Sequence, residues 1–298
     1  MPQLSHSATY TWAFFCGATA NILLGASSLY WRELGELTPQ TLVTYRVLIS
    51  LATVIMVIVA SRNLSNLRLL DLKTLFLHCV ASLLLAINWG AFIWASINGH
   101  ILESGFGYLL APALSIGIGL FIYHEPLKLT QALTLLILVS LVILLIIYSN
   151  ELKHWVYLLI ASTWGAYTCL KKATPLTAIN GLLVETIFLS ICIVLGWAAG
   201  IWTFTLPKNV TSHSQWLILL AGCVSVTPLV LFAYAVRKLP LSTTAAFQFI
   251  LPCTQLIVAL TFYKQSISAG TMMVFLAAFG VLLCLLIYEA SGLAPNKT

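Results

Sequence analysis

Long runs of apolar residues, broken at short intervals by polar or turn residues, dominate the 298-residue chain. A hydrocarbon core of about 30 Å needs about 20 apolar residues at a helical rise of about 1.5 Å each. Cutting the chain at its polar breaks yields ten such segments, approximately 10–31, 39–60, 74–97, 102–123, 126–148, 155–170, 178–202, 215–236, 242–263 and 268–288. The pattern predicts an all-α membrane protein of ten transmembrane helices. The first run continues well past Ala18-Thr19-Ala20, and no Lys or Arg precedes it within residues 1–10, so it reads as a membrane helix and not as a cleaved leader.

Sliding the chain against itself by 140 positions brings Gly25-Ala26 onto Gly165-Ala166. The same shift lays Phe92, Ala95, Pro112 and Tyr123 on Phe232, Ala235, Pro252 and Tyr263, and Glu125 on Gln265. A shared offset for two prolines within apolar runs implies duplication, with halves at 1–149 and 150–298. Five spans per half is an odd number, so the second half enters the bilayer from the opposite side. The expectation is two inverted five-helix repeats around a central cavity, an arrangement that serves alternating access in secondary transporters.

Composition narrows the function. Hydrophobic residues make up 60% of the chain and charged residues 7%, against about 25% charged in soluble domains. The formal net charge of +6 is spread thinly over the loops, so no patch suits nucleic acid. Sorted by side, Arg62, Arg68, Lys73, Lys128, Lys171, Lys172, Arg237, Lys238 and Lys297 fall with the termini, and Arg32, Lys153, Lys208 and Lys264 fall opposite. That excess places both termini in the cytoplasm of a bacterial inner membrane. The seven cysteines lie in apolar runs without metal spacing, and no phosphate-binding loop or zinc-protease motif occurs. Neither a cofactor nor enzymatic chemistry is expected.

Candidate site residues are the polar and aromatic groups within spans. Arg46 and Glu185 are the two ionisable residues well inside spans, at near-equivalent places in the halves. Intramembrane charges are costly, which makes them candidate contacts for a charged solute. An equally open reading has them satisfying backbone carbonyls and joining the halves. Each lies about 10 Å inside its own face, so their backbones differ by about 10 Å in depth and direct contact is not implied. Glu185 also invites proton exchange, leaving a proton open as coupling ion. Asn88, Trp89, Trp94 and Tyr108 in the first half and Trp164, Tyr167, Phe247 and Gln248 in the second supply the aromatic and hydrogen-bonding groups expected of an organic-solute cavity. Asn180 and Gln255 belong to the same set. Pro112 and Pro252 each free a carbonyl near mid-membrane, consistent with kinks beside the site as well as with substrate contact.

Several of these residues carry a family resemblance. Tyr30-Trp31, Arg46, the run from Asn88 to Ala95, Asn98-Gly99-His100, Glu103-Ser104, Gly107-Tyr108, Pro112, Glu125, Trp164 to Tyr167 and Glu185 resemble the drug/metabolite transporter superfamily with its EamA-type halves, and most closely its RarD branch. The resemblance covers about residues 10–288, and Gln265 departs from it where relatives carry an acid. It implies a cavity lined by the first four helices of each half, with the fifth and tenth peripheral. The expected function is secondary transport of small polar or amphipathic organic solutes, such as amino acids, as exporter or exchanger. A multidrug, amine or nucleoside-like permease of the same fold is the alternative, and a membrane enzyme or a passive channel lies further off. The expected partners are a small-molecule substrate and the lipid bilayer, with the chain acting as monomer or homodimer.

Overall fold

The computed structural model describes residues 6–61, 71–122, 124, 128–172, 174–204, 210–239 and 247–292. Among the described residues ten helices run in order: α1 His6–Glu33, α2 Pro39–Ser61, α3 Leu72–Asn98, α4 Ile101–Ile122, α5 Leu129–Tyr148, α6 His154–Lys172, α7 Ala178–Ala198, α8 Ser212–Lys238, α9 Ile250–Thr261 and α10 Ala269–Gly292. Eight are long and apolar enough to cross a bilayer, while α6 carries lysines in its last turn and α9 is a shorter apolar helix. Helices are the natural outcome, because a chain in hydrocarbon must satisfy its backbone internally. Tyr123, Glu125, Arg62, Arg68, Lys208, Lys297 and positions 242–246 of the expected ninth span lie outside the described residues.

Helix ends have local causes. Asp71 caps α3 by accepting from the Thr74 amide at 2.8 Å, and Thr177 and Thr211 cap α7 and α8 in the same way. Gly99 ends α3 with φ at 80°, a left-handed conformation that glycine tolerates. The chain then turns directly into α4.

The helix directions confirm inversion. At one end, which we call the far end, α1, α3 and α9 finish where α4 and α6 begin: the Tyr263 hydroxyl donates to the Ser28 and Ser96 carbonyls at 2.9 Å each, and the Lys153 amide donates to Glu103 at 3.2 Å. Helix α1 therefore ends where its counterpart α6 starts. Packing obeys the same exchange: α1 lies on α8 and α9, as α6 lies on α3 and α4, while α2 meets α7, α4 meets α9 and α5 meets α10.

Glycine crossings repeat the 140-residue offset atom by atom. A Cβ on Gly25 would lie 3.0 Å from the Leu251 carbonyl oxygen and 2.7 Å from Thr254 Cβ; one on Gly165 would lie 3.0 Å from the Ala111 carbonyl oxygen and 3.1 Å from Leu114 Cβ. Gly165, Leu251 and Thr254 are each 140 positions beyond Gly25, Ala111 and Leu114. A second pair exchanges its members, since Gly17 of α1 abuts Phe247, just ahead of α9, and Gly107 of α4 abuts the Tyr157 carbonyl of α6. Lipid removes most of the hydrophobic drive between membrane helices, so close backbone approach at small residues supplies the attraction. Helices α5 and α10 stay peripheral, with Leu136, Ile147 and Leu276 facing outward.

Candidate functional site

A cavity of about 40 Å³ lies where the halves meet, room for roughly three waters. Its wall comprises Leu24 and Ser27 of α1, Arg46 of α2, Leu85, Asn88, Trp89 and Phe92 of α3, Tyr108 of α4, Trp164 and Tyr167 of α6, Leu229 of α8 and Leu251 of α9. Three positional pairs again stand 140 apart: Leu24 with Trp164, Ser27 with Tyr167, and Trp89 with Leu229. The cavity thus straddles the axis relating the repeats. Helix α7, expected among the lining helices, contributes no lining residue among the described ones.

Arg46 is the one charged residue on that wall among the described residues. Its guanidinium carbon lies 4.2 Å from the Trp89 ring centre and 5.1 Å from that of Trp31. The side chain is 4% exposed, and Nε and Nη1 find no hydrogen-bond partner among the described residues. The two indoles shield the cation through their π faces and leave those donors without an acceptor. Asn88 joins the halves: its amide nitrogen donates to Thr163 Oγ1 at 3.1 Å, and its oxygen accepts from the Tyr108 hydroxyl at 2.9 Å.

Glu185 occupies a separate cluster. Its Oε1 lies 2.7 Å from His78 Nδ1 and 2.8 Å from Lys171 Nζ, and Oε2 accepts from the Tyr167 hydroxyl at 3.1 Å. Arg46 and Glu185 form no ion pair with each other. Tyr167 connects the two places, its ring on the cavity and its hydroxyl on the carboxylate.

Other expected site residues sit elsewhere. Trp94 stacks on His100 at 5.2 Å and lies 4.6 Å from Trp155 at the far end. Phe247 packs on Phe14 at 5.1 Å, away from the cavity, and Gln248 is exposed. Pro112 and Pro252 follow Ala111 and Leu251, whose carbonyls face the crossing glycines, so both belong to the helix crossings rather than to the wall. Asn180 is buried beside the Thr177 cap. Gln255 is fully buried between α4 and α9, and neither amide atom has a partner among the described residues.

Sequence reasoning missed Trp31 as the second face under Arg46, Ser27 on the wall, and His78 and Lys171 as partners of Glu185. It also missed Pro228 inside α8. A buried carboxylate requires a countercharge, and the lysine pair closing α6 was the available signal.

The far end is tied together by a hydrogen-bonded hub. The fully buried Glu103 accepts from His100 Nδ1 at 2.8 Å, from the Lys153 amide and from Gln265 Nε2 at 2.8 Å. Gln265, the departure from the family pattern, thereby donates where an acid would repel. Arg32 adds a bond to the Phe262 carbonyl at 3.0 Å and lies over the Tyr263 ring.

No family model matches the chain. An uncharacterized transporter of Bacillus subtilis, YojE, is 31% identical over 277 residues, covering 89% of this chain and 90% of that protein. Protein RarD of Escherichia coli is 28% identical over 280 residues, covering 91% and 92%. A chloramphenicol-sensitive protein RarD of Pseudomonas aeruginosa is 26% identical over 255 residues, covering 83% and 84%. A solved crystal structure of a protein shares the fold at a TM-score of 0.54 and 16% identity, over 92% of this chain and 98% of that one. These relatives, the membrane-spanning helices and the inverted halves describe a multi-pass membrane transporter, and the chain belongs to the RarD-type branch of the drug/metabolite transporter superfamily.

Proposed function

We propose that the chain is a secondary transporter of small amphipathic organic solutes bearing an anionic group, amino acids and related metabolites above all, working by alternating access. One observation carries this reading: the Arg46 guanidinium is buried on a cavity wall, held by two tryptophans, with two nitrogens lacking an acceptor among the described residues. A buried guanidinium stays charged and draws an anion, and a carboxylate matches its fork. Trp89, Trp164 and Tyr167 then face the rest of the solute, and their π faces suit an aromatic or cationic portion. Glu185 is engaged by three donors, so the solute's cationic part meets rings rather than that carboxylate.

A cavity of about 40 Å³ is far below the roughly 300 Å³ or more of ligand pockets, so this is a contracted state that must open to admit a solute. The Glu103 hub holds the far end, and rocking of the inverted halves would exchange which end is held. The excess of basic residues on the terminal side supports cytoplasmic termini in an inner membrane, and family resemblance supports export.

The test is counterflow in proteoliposomes with labelled amino acids, nucleosides and amine drugs, chloramphenicol included. Saturable counterflow of carboxylate-bearing solutes is expected. Preference for amines or nucleosides lacking a carboxylate would move the assignment to the alternative permease, and non-saturating flux would make the chain a channel.

A further inference from the structure

Outside the cavity, the largest concentration of buried titratable groups among the described residues is the His78, Glu185 and Lys171 cluster at the junction of α3, α6 and α7. His78 and Glu185 are fully buried, whereas the Lys171 side chain is 20% exposed. No other charged side chain among the described residues lies within ion-pair distance of the three. The helices packed around them bring only Tyr167, from α6, into direct contact with the carboxylate.

The bonding leaves one atom of the cluster unengaged. An ionised carboxylate only accepts, so the His78 Nδ1 facing Glu185 carries the proton. His78 Nε2, fully buried, has no partner among the described residues. The cluster is then neutral overall, with glutamate and lysine charges balanced and a lone pair free on the imidazole. One added proton, held on the Glu185 carboxyl, makes it singly positive. His78 Nδ1 and Lys171 Nζ both bond the same Glu185 oxygen, so all three groups respond to a proton placed there. Space is reserved for it: a Cβ on Gly181 would collide with Lys171 Nζ and lie 2.8 Å from His78 Cε1.

Tyr167 links this charge to the cavity. Its hydroxyl donates to Glu185 while its ring stacks on Trp164 at 5.5 Å, and both rings line the wall. We propose that the His78–Glu185–Lys171 cluster is the proton-binding site of the transport cycle, and that Tyr167 carries its protonation state to the cavity. Lys171, partly exposed near the terminal-side end of α6, is the point where water delivers the proton. Protonation withdraws charge from Glu185, frees the Tyr167 hydroxyl, and lets the Tyr167–Trp164 wall move. In the alternate state the proton leaves by way of the opened cavity. This last step rests on the alternating-access reading, whereas proton binding itself does not.

Two measurements on the full chain in liposomes separate these parts. Infrared difference spectra from about pH 4 to about pH 8 should show a carboxyl band that appears on acidification, vanishes in E185Q, shifts its midpoint in H78Q and persists in Y167F. Should E185Q not fold, E103Q serves, because Glu103 is the only other fully buried acid among the described residues. In parallel, labelled L-tryptophan flux should respond to an imposed proton gradient in wild type. Whatever flux remains in E185Q or Y167F should lose that response. A Glu185 carboxyl that never titrates, or an E185Q protein with the wild-type gradient response, overturns the proposal. Absence of L-tryptophan flux at every pH would instead strike the substrate reading and leave the infrared result to decide the proton site.

Discussion

Replacing Arg46 with methionine separates a recognition role for the guanidinium from a structural one. A charge-assisted hydrogen bond contributes about 1.5 to 3 kcal/mol, and a carboxylate bound at the guanidinium would lose about 2 to 3 kcal/mol in the variant. At about 1.4 kcal/mol per factor of ten, affinity for a carboxylate falls roughly 30- to 150-fold. L-Tryptophanamide, which keeps the ring and the cationic amine but lacks the carboxylate, should lose almost nothing. The folded protein should suffer little: about 0.5 to 2 kcal/mol of cation–π attraction disappears, offset by relief of a desolvated charge, where buried-charge replacements are often neutral or stabilising by about 1 to 4 kcal/mol. Ligand-induced rises in melting temperature for the acid and the amide report both quantities without requiring transport. Wild type should favour L-tryptophan over the amide by at least about 30-fold, R46M should show near parity, and the unliganded melting temperature should hold or rise. Equal ratios in the two proteins, or a collapse of the unliganded R46M protein, would refute the reasoning.

Other consequences are quickly tested. Gly25→Val and Gly165→Val each push a side chain into a backbone carbonyl that lies only 3.0 Å from where the new Cβ would sit, and overpacking of this kind costs about 1 to 3 kcal/mol; the double variant should sum the two losses in thermal melts. Glu103→Ala removes the acceptor shared by His100, Lys153 and Gln265, so Ser27→Cys in a cysteine-free background should react faster with a membrane-impermeant maleimide from the far side, whereas an unchanged rate would deny that the hub closes that end. A phosphatase fused after Thr298 should be inactive and a fluorescent protein at the same place bright, as the cytoplasmic orientation proposed from the charge asymmetry requires.

The fold was legible because lipid imposes one strong constraint: apolar runs long enough to cross stand out, and most boundaries moved by only a few residues, as where α6 extends to Lys172 and α7 stops at Ala198, while among the described residues α9 begins only at Ile250 against an expected start at 242. The 140-residue offset proved physically specific, since it predicts which backbone carbonyl meets which glycine. Arg46 was legible for the same reason, as a charge with no evident excuse in an apolar run. Faces were not legible. Trp89 lines the cavity while Trp94, five residues on in the same helix, stacks on His100 at the far end, and a span apolar all round gives no sign of that difference. The setting of Glu185 stayed hidden because Lys171 belongs by sequence to a span end, and its long stem carries the ammonium back to the carboxylate.

The paired wall positions are wired alike but furnished differently, with Tyr167 opposite Ser27 and Trp164 opposite Leu24. Under the proposed alternating access, a solute leaving by one door would pass aromatic rings, and by the other a hydroxyl and an aliphatic branch. On that reading the two thresholds would hold the same cargo with unequal grip, and half-saturation measured from opposite faces of the membrane should disagree even with no driving gradient.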